Sequence, residues 1–213
     1  MRSVAETVLL FWFGNTDLSA DIPKSSNWFK ASETFDQELK DKFEKIHRQA
    51  ILGKLDHLMD TAAECLALII ILDQFSRNLH RNSPKAFEAD SKTREIARTA
   101  LANNFHKEYS NWPKIFCYLP FEHSEFLEDH EFISPYFEAL EGQEFENSRK
   151  TAREHMKVIQ KYGRYPHRNN VMGRINTPEE EKYLENPPLW GKTKAEAAEI
   201  LKRRKNKKRG KAS

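Results

Sequence analysis

Apolar residues recur at helical spacing along much of the chain. Between residues 35 and 50 they fall at steps of four, four, three and four, at Phe35, Leu39, Phe43, Ile46 and Ala50. These positions share one face of an α-helix. Glycine and proline are sparse, which is typical of helices rather than of strands joined by frequent turns. No stretch alternates between apolar and polar residues, so the pattern predicts an all-α protein of about seven helices that ends near residue 186.

Start and stop signals place several of these helices. Pro120 predicts the end of the helix before it, because proline lacks a backbone N–H. The other predicted boundaries are a capping box at Thr61 and Glu64, a cap and proline at Ser83 and Pro84 for a helix to about Asn103, a cap at Asn147 for a helix ending at Gly163, and a capping box at Thr177 and Glu180.

A first polar cluster follows the apolar run 66–72, which is apolar on every face and predicts a central, buried helix. Asp73 and Arg77 continue the core-facing stripe, so this stripe becomes charged without changing direction. Either the helix emerges into a cleft or the charges are buried with partners. The alternative is a helix running into solvent with an Asp73–Arg77 pair. The candidate ligand-binding residues here are Asp73, Gln74, Arg77, Asn78 and Arg81.

A second cluster lies in the segment Leu-Pro-Phe-Glu-His-Ser-Glu at 119–125. A histidine and a carboxylate this close, His123 and Glu125, suit proton transfer or metal binding. Ser124 has no nucleophile-elbow motif and no assigned base, so it is predicted to contact ligand rather than to act as a nucleophile. The alternative is an ordinary helix start on the surface.

A third cluster occupies residues 162–174, where Gly163 and Pro166 predict a loop. The loop is rich in hydrogen-bond donors, and arginine binds carboxylates and phosphates with two parallel hydrogen bonds. The structural alternative is that these arginines pair with Asp73, Asp90 or Glu125. The candidates are Arg164, Arg168, Asn169 and Arg174 for ligand binding and His167 for catalysis.

Charge is unevenly distributed. Residues 192–213 hold ten Lys or Arg and two Glu, so this tail carries +8 and the rest of the chain −5. The tail predicts at most a weak contact with nucleic acid, since no aromatic residues interleave its charges. Two isolated cysteines in apolar contexts, Cys65 and Cys117, favour a reducing compartment. No apolar run is long enough to span a bilayer, so we expect a cytoplasmic protein without membrane insertion.

Three motifs resemble the signature motifs of the DUF924 family, a group of mainly bacterial proteins of unknown function. They are Leu-Asp-Gln-Phe-Ser-Arg-Asn at 72–78, Leu-Pro-Phe-Glu-His-Ser-Glu at 119–125 and Gly-Arg-Tyr-Pro-His-Arg-Asn at 163–169. The resemblance covers about residues 5–185. It implies antiparallel helix pairs in a right-handed, tetratricopeptide-like arc. The chain departs from the family pattern with Asn82 in place of glycine, His130 in place of glutamine, and Asp56-His57 where a tryptophan is expected.

The predicted organisation is one helical domain over residues 1–186, then a linker and a basic, disordered tail over 187–213. Three functions fit the clusters, and the sequence favours them in the following order. A binding module would hold a small anionic molecule or a peptide. A structural network of buried ion pairs would fix the fold. An enzyme, for example a hydrolase, would use His123, Glu125, His167 and Asp73 as acid–base groups or metal ligands. The sequence identifies no metal-binding motif and no cofactor, and it leaves enzymatic activity open.

Overall fold

The computed structural model describes residues 2–29, 32–190, 192 and 194–209. This part of the chain contains ten α-helices joined by loops and short 3₁₀ turns, with no β-strand, and the all-α prediction is confirmed. The helices are α1 (Val4–Phe13), α2 (Glu33–Ile51), α3 (Ala62–Ile70), α4 (Ser76–Leu79), α5 (Asp90–Ala102), α6 (Asn111–Glu122), α7 (Leu127–Glu138), α8 (Glu146–Tyr162), α9 (Pro178–Leu184) and α10 (Lys194–Arg209).

The centre of the fold is a continuous helix made of α3, a π turn over Ile71–Phe75 and α4. Every residue from 65 to 76 is buried, as the run of apolar residues predicts. A helix that is apolar all round is stable only when neighbours cover every side. Here α1, α2, α5 and α6 pack around it. The polar residues of the first motif therefore begin in the middle of the core rather than at its edge.

Aromatic rings fill the space on one side of this helix. Trp12 lies 5.7 Å from Phe75 and 5.5 Å from Phe116, measured between ring centroids. Trp28 lies 5.1 Å from Phe116, and its indole N–H donates to the carbonyl oxygen of Trp12. Tilted and edge-on aromatic pairs of this kind add to the stabilisation that burial alone provides. The loop after α1 is thereby held against α6.

Helix boundaries follow the predicted signals at some ends and not at others. The predicted caps place the starts of α3 and α9, where the Thr61 and Thr177 hydroxyls accept from backbone N–H groups. The capping box is complete at Thr177 and Glu180, whereas Glu64 accepts from the Thr61 hydroxyl instead of from its backbone N–H. Gly163 ends α8 in the left-handed conformation, with φ at 66°. The cap predicted at Asn147 is wrong, because α8 begins at Glu146. The helix predicted from Ser83 is divided into a 3₁₀ turn and α5.

The prediction that Pro120 ends a helix is also wrong, because α6 continues to Glu122. A proline removes one hydrogen bond of the helix and crowds the preceding turn. Near the end of α6 this costs a single bond, while the flanking residues Leu119 and Phe121 gain burial in the core. Burial outweighs the local cost, and α6 carries Glu122 into the interior.

Residues after α9 return to the body of the protein. The Trp190 ring stacks on His155 with 3.7 Å between centroids, and α10 follows this segment. The sequence predicts a linker and disordered tail over residues 187–213, and residues 210–213 of this tail lie outside the described residues. The division at residue 186 and the tetratricopeptide-like arc stay predictions. No helix of the described chain has the length and apolarity needed to cross a membrane.

Candidate functional site

The π turn places Asp73 at the centre of a buried polar network. Its side chain is 1% exposed. One oxygen, Oδ1, lies 2.8 Å from Nδ1 of His123 and 2.9 Å from a guanidinium nitrogen of Arg77. The other oxygen accepts from the side-chain amide of Gln74. An ionised carboxylate that is this deeply buried is stable only when its lone pairs are satisfied, and here they are.

The charges of these neighbours determine the protonation states. Burial by itself raises the pKa of Asp73, but Arg77 and His123 outweigh burial and lower the pKa to about 2. Burial and the charge of Arg77 lower the pKa of His123. His123 is therefore neutral at pH 7 beside an ionised carboxylate. Because a carboxylate only accepts hydrogen bonds, Nδ1 of His123 carries the ring proton and Nε2 is left as an acceptor.

Arg77 extends the network to the third motif. Its guanidinium lies 3.1 Å from Asp90, which in turn lies 3.7 Å from the guanidinium of Arg168. The guanidinium of Arg168 packs 4.6 Å from the ring centroid of Phe87 and 4.5 Å from that of Tyr165. Two arginines thus share Asp90, and Arg168 is buried between aromatic rings. This agrees with the structural alternative for the loop.

The last two residues of the first polar cluster, Asn78 and Arg81, bind α2. Arg81 donates through Nε to Asp36 at 2.8 Å, and the side-chain amide of Asn78 donates to the same carboxylate at 2.7 Å. Asp36 lies in the first turn of α2. The pair fixes the start of α2 against α4 and neutralises the charge of Arg81.

A cavity of about 600 Å³ opens beside this network. Its wall contains five of the residues predicted for ligand binding or catalysis, and Asp73 lies directly behind His123. Those five are Gln74, Arg77, Asn78, Arg81 and His123. Other polar or charged lining residues are Lys24, Glu122, Asn147, Ser148, Thr151, Glu154, His155 and Arg204, and the apolar ones include Trp28, Phe29, Ile115, Leu119, Phe137 and Trp190.

Glu122 and His155 are cavity residues that the sequence analysis did not select. Glu122 is 5% exposed, and its Oε1 lies 3.5 Å from Nδ1 of His155. Burial, together with the charge of Asp73, raises the pKa of Glu122 to about 8, so its carboxyl is protonated at neutral pH. Burial lowers the pKa of His155 well below its usual value. In the sequence, Glu122 shares a helical face with Ile115 and Leu119, but this spacing does not indicate how deeply that face is buried.

The remaining residues of the second motif have structural partners. The Ser124 hydroxyl donates to Asp129 at 2.6 Å, and Ser124 is 1% exposed. Glu125 accepts two hydrogen bonds from Arg174, at 2.6 and 3.0 Å, and one from the backbone N–H of Tyr165. Neither Ser124 nor Glu125 lines the cavity. Glu125, a predicted catalytic residue, instead holds the third motif against the end of α6.

The loop of the third motif is held by a second acidic residue. Arg164 donates to Glu180 through two nitrogens, at 2.6 and 2.8 Å, and Asn169 donates to Glu180 and to Asn176. Arg164, Arg168, Asn169 and Arg174 are therefore paired within the protein and lie outside the cavity wall.

His167, a predicted catalytic residue, does not line the cavity. Its ring is 5.3 Å from that of Tyr165 and 5.8 Å from that of Trp190. Burial and the charge of Arg168 lower its pKa to about 3. Of the three predicted catalytic residues His123, Glu125 and His167, only His123 lines the cavity. Among the described residues, no group of three His, Cys, Asp or Glu side chains is placed to hold a metal ion.

Comparison with known proteins identifies the family. A family model described as a bacterial protein of unknown function, DUF924, matches residues 8–188. The chain belongs to the DUF924 family. The resemblance carried by the three motifs is thereby confirmed.

A solved structure gives a second comparison. It is a protein of unknown function from Agrobacterium tumefaciens, with 30% sequence identity and a TM-score of 0.76. The match covers 86% of this chain and 98% of that chain. No curated protein matches the chain.

The three DUF924 motifs divide by role. The first supplies the cavity wall and the buried carboxylate of Asp73, and the second supplies Glu122 and His123 at the end of α6. The third lies behind them and pairs with Asp90, Glu125 and Glu180. Sequence reasoning treated the motifs as equal contributors to one site, whereas only the first two reach the cavity wall.

Proposed function

We propose that this protein is an enzyme that transfers protons to and from a small molecule bound in the cavity, with His123 as the base and Glu122 as the acid. One observation carries the proposal. The fully buried Asp73 holds Nδ1 of His123 at 2.8 Å, and His123 lines a cavity of about 600 Å³. The nitrogen that remains, Nε2, has no hydrogen-bond partner among the described residues.

Asp73 prepares His123 for this role in two ways. It fixes the tautomer in which Nε2 is unprotonated, and its negative charge stabilises the imidazolium that forms when Nε2 accepts a proton. Arg77 acts in the opposite sense and lowers the pKa of His123, so the ring is neutral before the reaction. Arg77 also donates to the backbone oxygen of Asp73 and holds the π turn in place.

Glu122 supplies the complementary group. Its carboxyl is protonated at pH 7, when His123 is unprotonated, and the two residues are adjacent at the end of α6. Two titratable groups whose environments hold one as an acid and the other as a base form the usual pair in acid–base catalysis. The buried setting that raises the pKa of Glu122 also strengthens its interaction with a negative charge that develops on substrate.

The other two hypotheses become parts of this one. The ion pairs of Asp73, Asp90 and Asp36 serve as the structural network that keeps the first motif rigid. Binding of a small ligand by the cavity wall is the first step of catalysis, and binding without turnover is the second candidate function. A weak nucleic-acid contact of the basic tail and a cytoplasmic location stay predictions.

Two measurements test the proposal. Nitrogen-15 NMR of the histidine rings should show His123 neutral at pH 7 with its proton on Nδ1, and Asp73→Asn should change this tautomer. In a panel of ester, phosphate, amide and glycoside probes, any turnover by the wild type should fall about 100- to 10,000-fold in His123→Gln. The matched control is His57→Gln, which changes an exposed histidine outside the cavity and should leave turnover unchanged.

The proposal fails on either of two results. A ring of His123 that is protonated on Nε2 at pH 7 would leave no base facing the cavity. Turnover that survives in His123→Gln would assign the chemistry to other groups. Ligand binding with a correct tautomer but no turnover would favour the binding module.

A further inference from the structure

Helices α6 and α8 run side by side and in the same direction along the cavity. Near their starts, the rings of Trp112 and Phe145 lie 5.0 Å apart. Ten residues further along each helix, Oε1 of Glu122 lies 3.5 Å from Nδ1 of His155. Ten helical residues span about 15 Å, so the cavity wall has two well-separated ends.

The two ends differ in chemistry. The acid–base groups Glu122 and His123 lie at the end of α6. At its start lies the ammonium of Lys24, 5.2 Å from the ring centroid of Trp112 and 5.8 Å from that of Phe29. Within the described chain no carboxylate lies in ion-pair distance of Lys24, which also lines the cavity. Its charge is therefore available to a ligand.

The arginines selected from the sequence for anion binding are placed differently. Arg77 lies within 3.1 Å of both Asp73 and Asp90, and Arg81 pairs with Asp36. Their positive charges are neutralised by carboxylates that belong to the fold. A ligand anion placed on either arginine would have to compete with these carboxylates, whereas on Lys24 it would not.

Apolar side chains connect the two ends. Ile115 and Leu119 lie on α6 between the start of the helix and His123, and Phe137 of α7 completes this part of the wall. Trp28 lies at the Lys24 end, 5.4 Å from the ring of Trp112. From Trp112, beside Lys24, to Glu122 the helix rises about 15 Å.

We infer that the cavity takes an amphipathic anion about 15 Å long, whose acidic head contacts Lys24 and whose apolar body lies along Ile115 and Leu119. The opposite end then reaches His123 and Glu122. This inference deepens the proposed function. Only one part of it, the assignment of His123 and Glu122 as the reacting end, rests on that proposed function. The substrate class is thus a medium-chain carboxylate, or another monoanion of the same shape, carrying a polar group at its far end.

Isothermal titration calorimetry with simple probes tests the inference. A straight-chain carboxylate of about twelve carbons, which matches the length of the wall, is compared with the primary amine and the alcohol of the same length. We expect the carboxylate to bind about three- to tenfold more tightly than either, because Lys24 is exposed and its charge is partly screened. In Lys24→Met this preference should disappear. Lys40→Met, which changes an exposed lysine of α2 outside the cavity, should keep it.

Three results would overturn the inference: equal affinity for the amine and the carboxylate, an unchanged preference in Lys24→Met, or no binding of any probe. The calorimetric preference separates the inference from the proposed function, because it is measured without any turnover. A carboxylate preference that depends on Lys24 would uphold the inference even if the NMR and turnover experiments refuted catalysis by His123.

Discussion

Glu122 gives the sharpest test, because a buried neutral carboxyl makes the free energy of unfolding depend on pH. Burial and the charge of Asp73 raise the pKa of Glu122 from 4.5 to about 8. Between these values the folded chain binds a proton that the unfolded chain releases. The stabilisation from a protonated Glu122 is therefore complete below pH 4.5 and is lost as pH rises toward 8.

The interval from pH 6.5 to 8 isolates this group. The buried histidines have pKa values lowered below 6.5, so they no longer change the free energy of unfolding above pH 6.5; they are His47, His123, His130, His155 and His167. The buried cysteines, Cys65 and Cys117, have pKa values raised above 9, so they do not titrate below pH 8. Within the interval, Glu122 alone should reduce the stability of the wild type by about 2 kcal/mol. For a chain of this size the corresponding shift in Tm is about 4–8 °C.

Urea unfolding at several pH values in this interval, followed by circular dichroism, measures the effect. Glu122→Gln keeps the shape of the side chain and removes the titration, so its free energy of unfolding should vary little with pH. Glu154→Gln is the matched control, since Glu154 lines the same cavity but is exposed, and it should retain the wild-type slope. A wild type with constant stability over the interval, or a Glu122→Gln variant with the same slope, would refute the buried neutral carboxyl.

Three further substitutions test the network around the cavity. Asp73→Ala leaves Arg77 and His123 without their shared carboxylate and should cost about 3–5 kcal/mol in urea unfolding; a loss near zero would contradict the buried ion pair. Arg168→Lys loses stacking on two aromatic rings and should cost about 1 kcal/mol by the same assay, whereas unchanged stability would argue against that packing. Ser124→Ala removes the hydrogen bond to Asp129 and should cost about 1 kcal/mol without changing turnover in the probe panel; a loss of turnover would instead assign Ser124 a part in catalysis.

The fold could be predicted from the sequence where burial and local signals agree. The apolar run from Leu66 to Leu72 predicts a central helix because only complete enclosure stabilises such a segment. Capping residues locate helix ends, since they satisfy backbone N–H groups within a few residues of the chain. Pro120 was misleading because its local cost is small beside the burial gained by the residues around it. Helix length at that point is a tertiary property, which the local signal does not contain.

The candidate site was predictable in part. His123, Arg77 and Arg81 could be selected because polar residues interrupt an apolar face. The sequence does not single out Glu122, because a glutamate followed by a histidine and a serine is also typical of the polar start of a surface helix. Its role depends on the depth to which α6 extends, and on the approach of His155 from α8, which is 33 residues away in sequence. Neither distance nor burial of this kind follows from local spacing.

The π turn explains why the first motif both fixes the fold and faces the cavity. A turn with one extra residue rotates everything after it by about 100° relative to an uninterrupted α-helix. The stripe that Leu66 and Ile70 define therefore does not continue in phase to Arg77. Asp73, within the turn, stays buried, while Arg77 and Asn78 after it line the cavity. A helix without the turn would place these side chains on another face, so the extra residue is what joins the buried carboxylate to an open site.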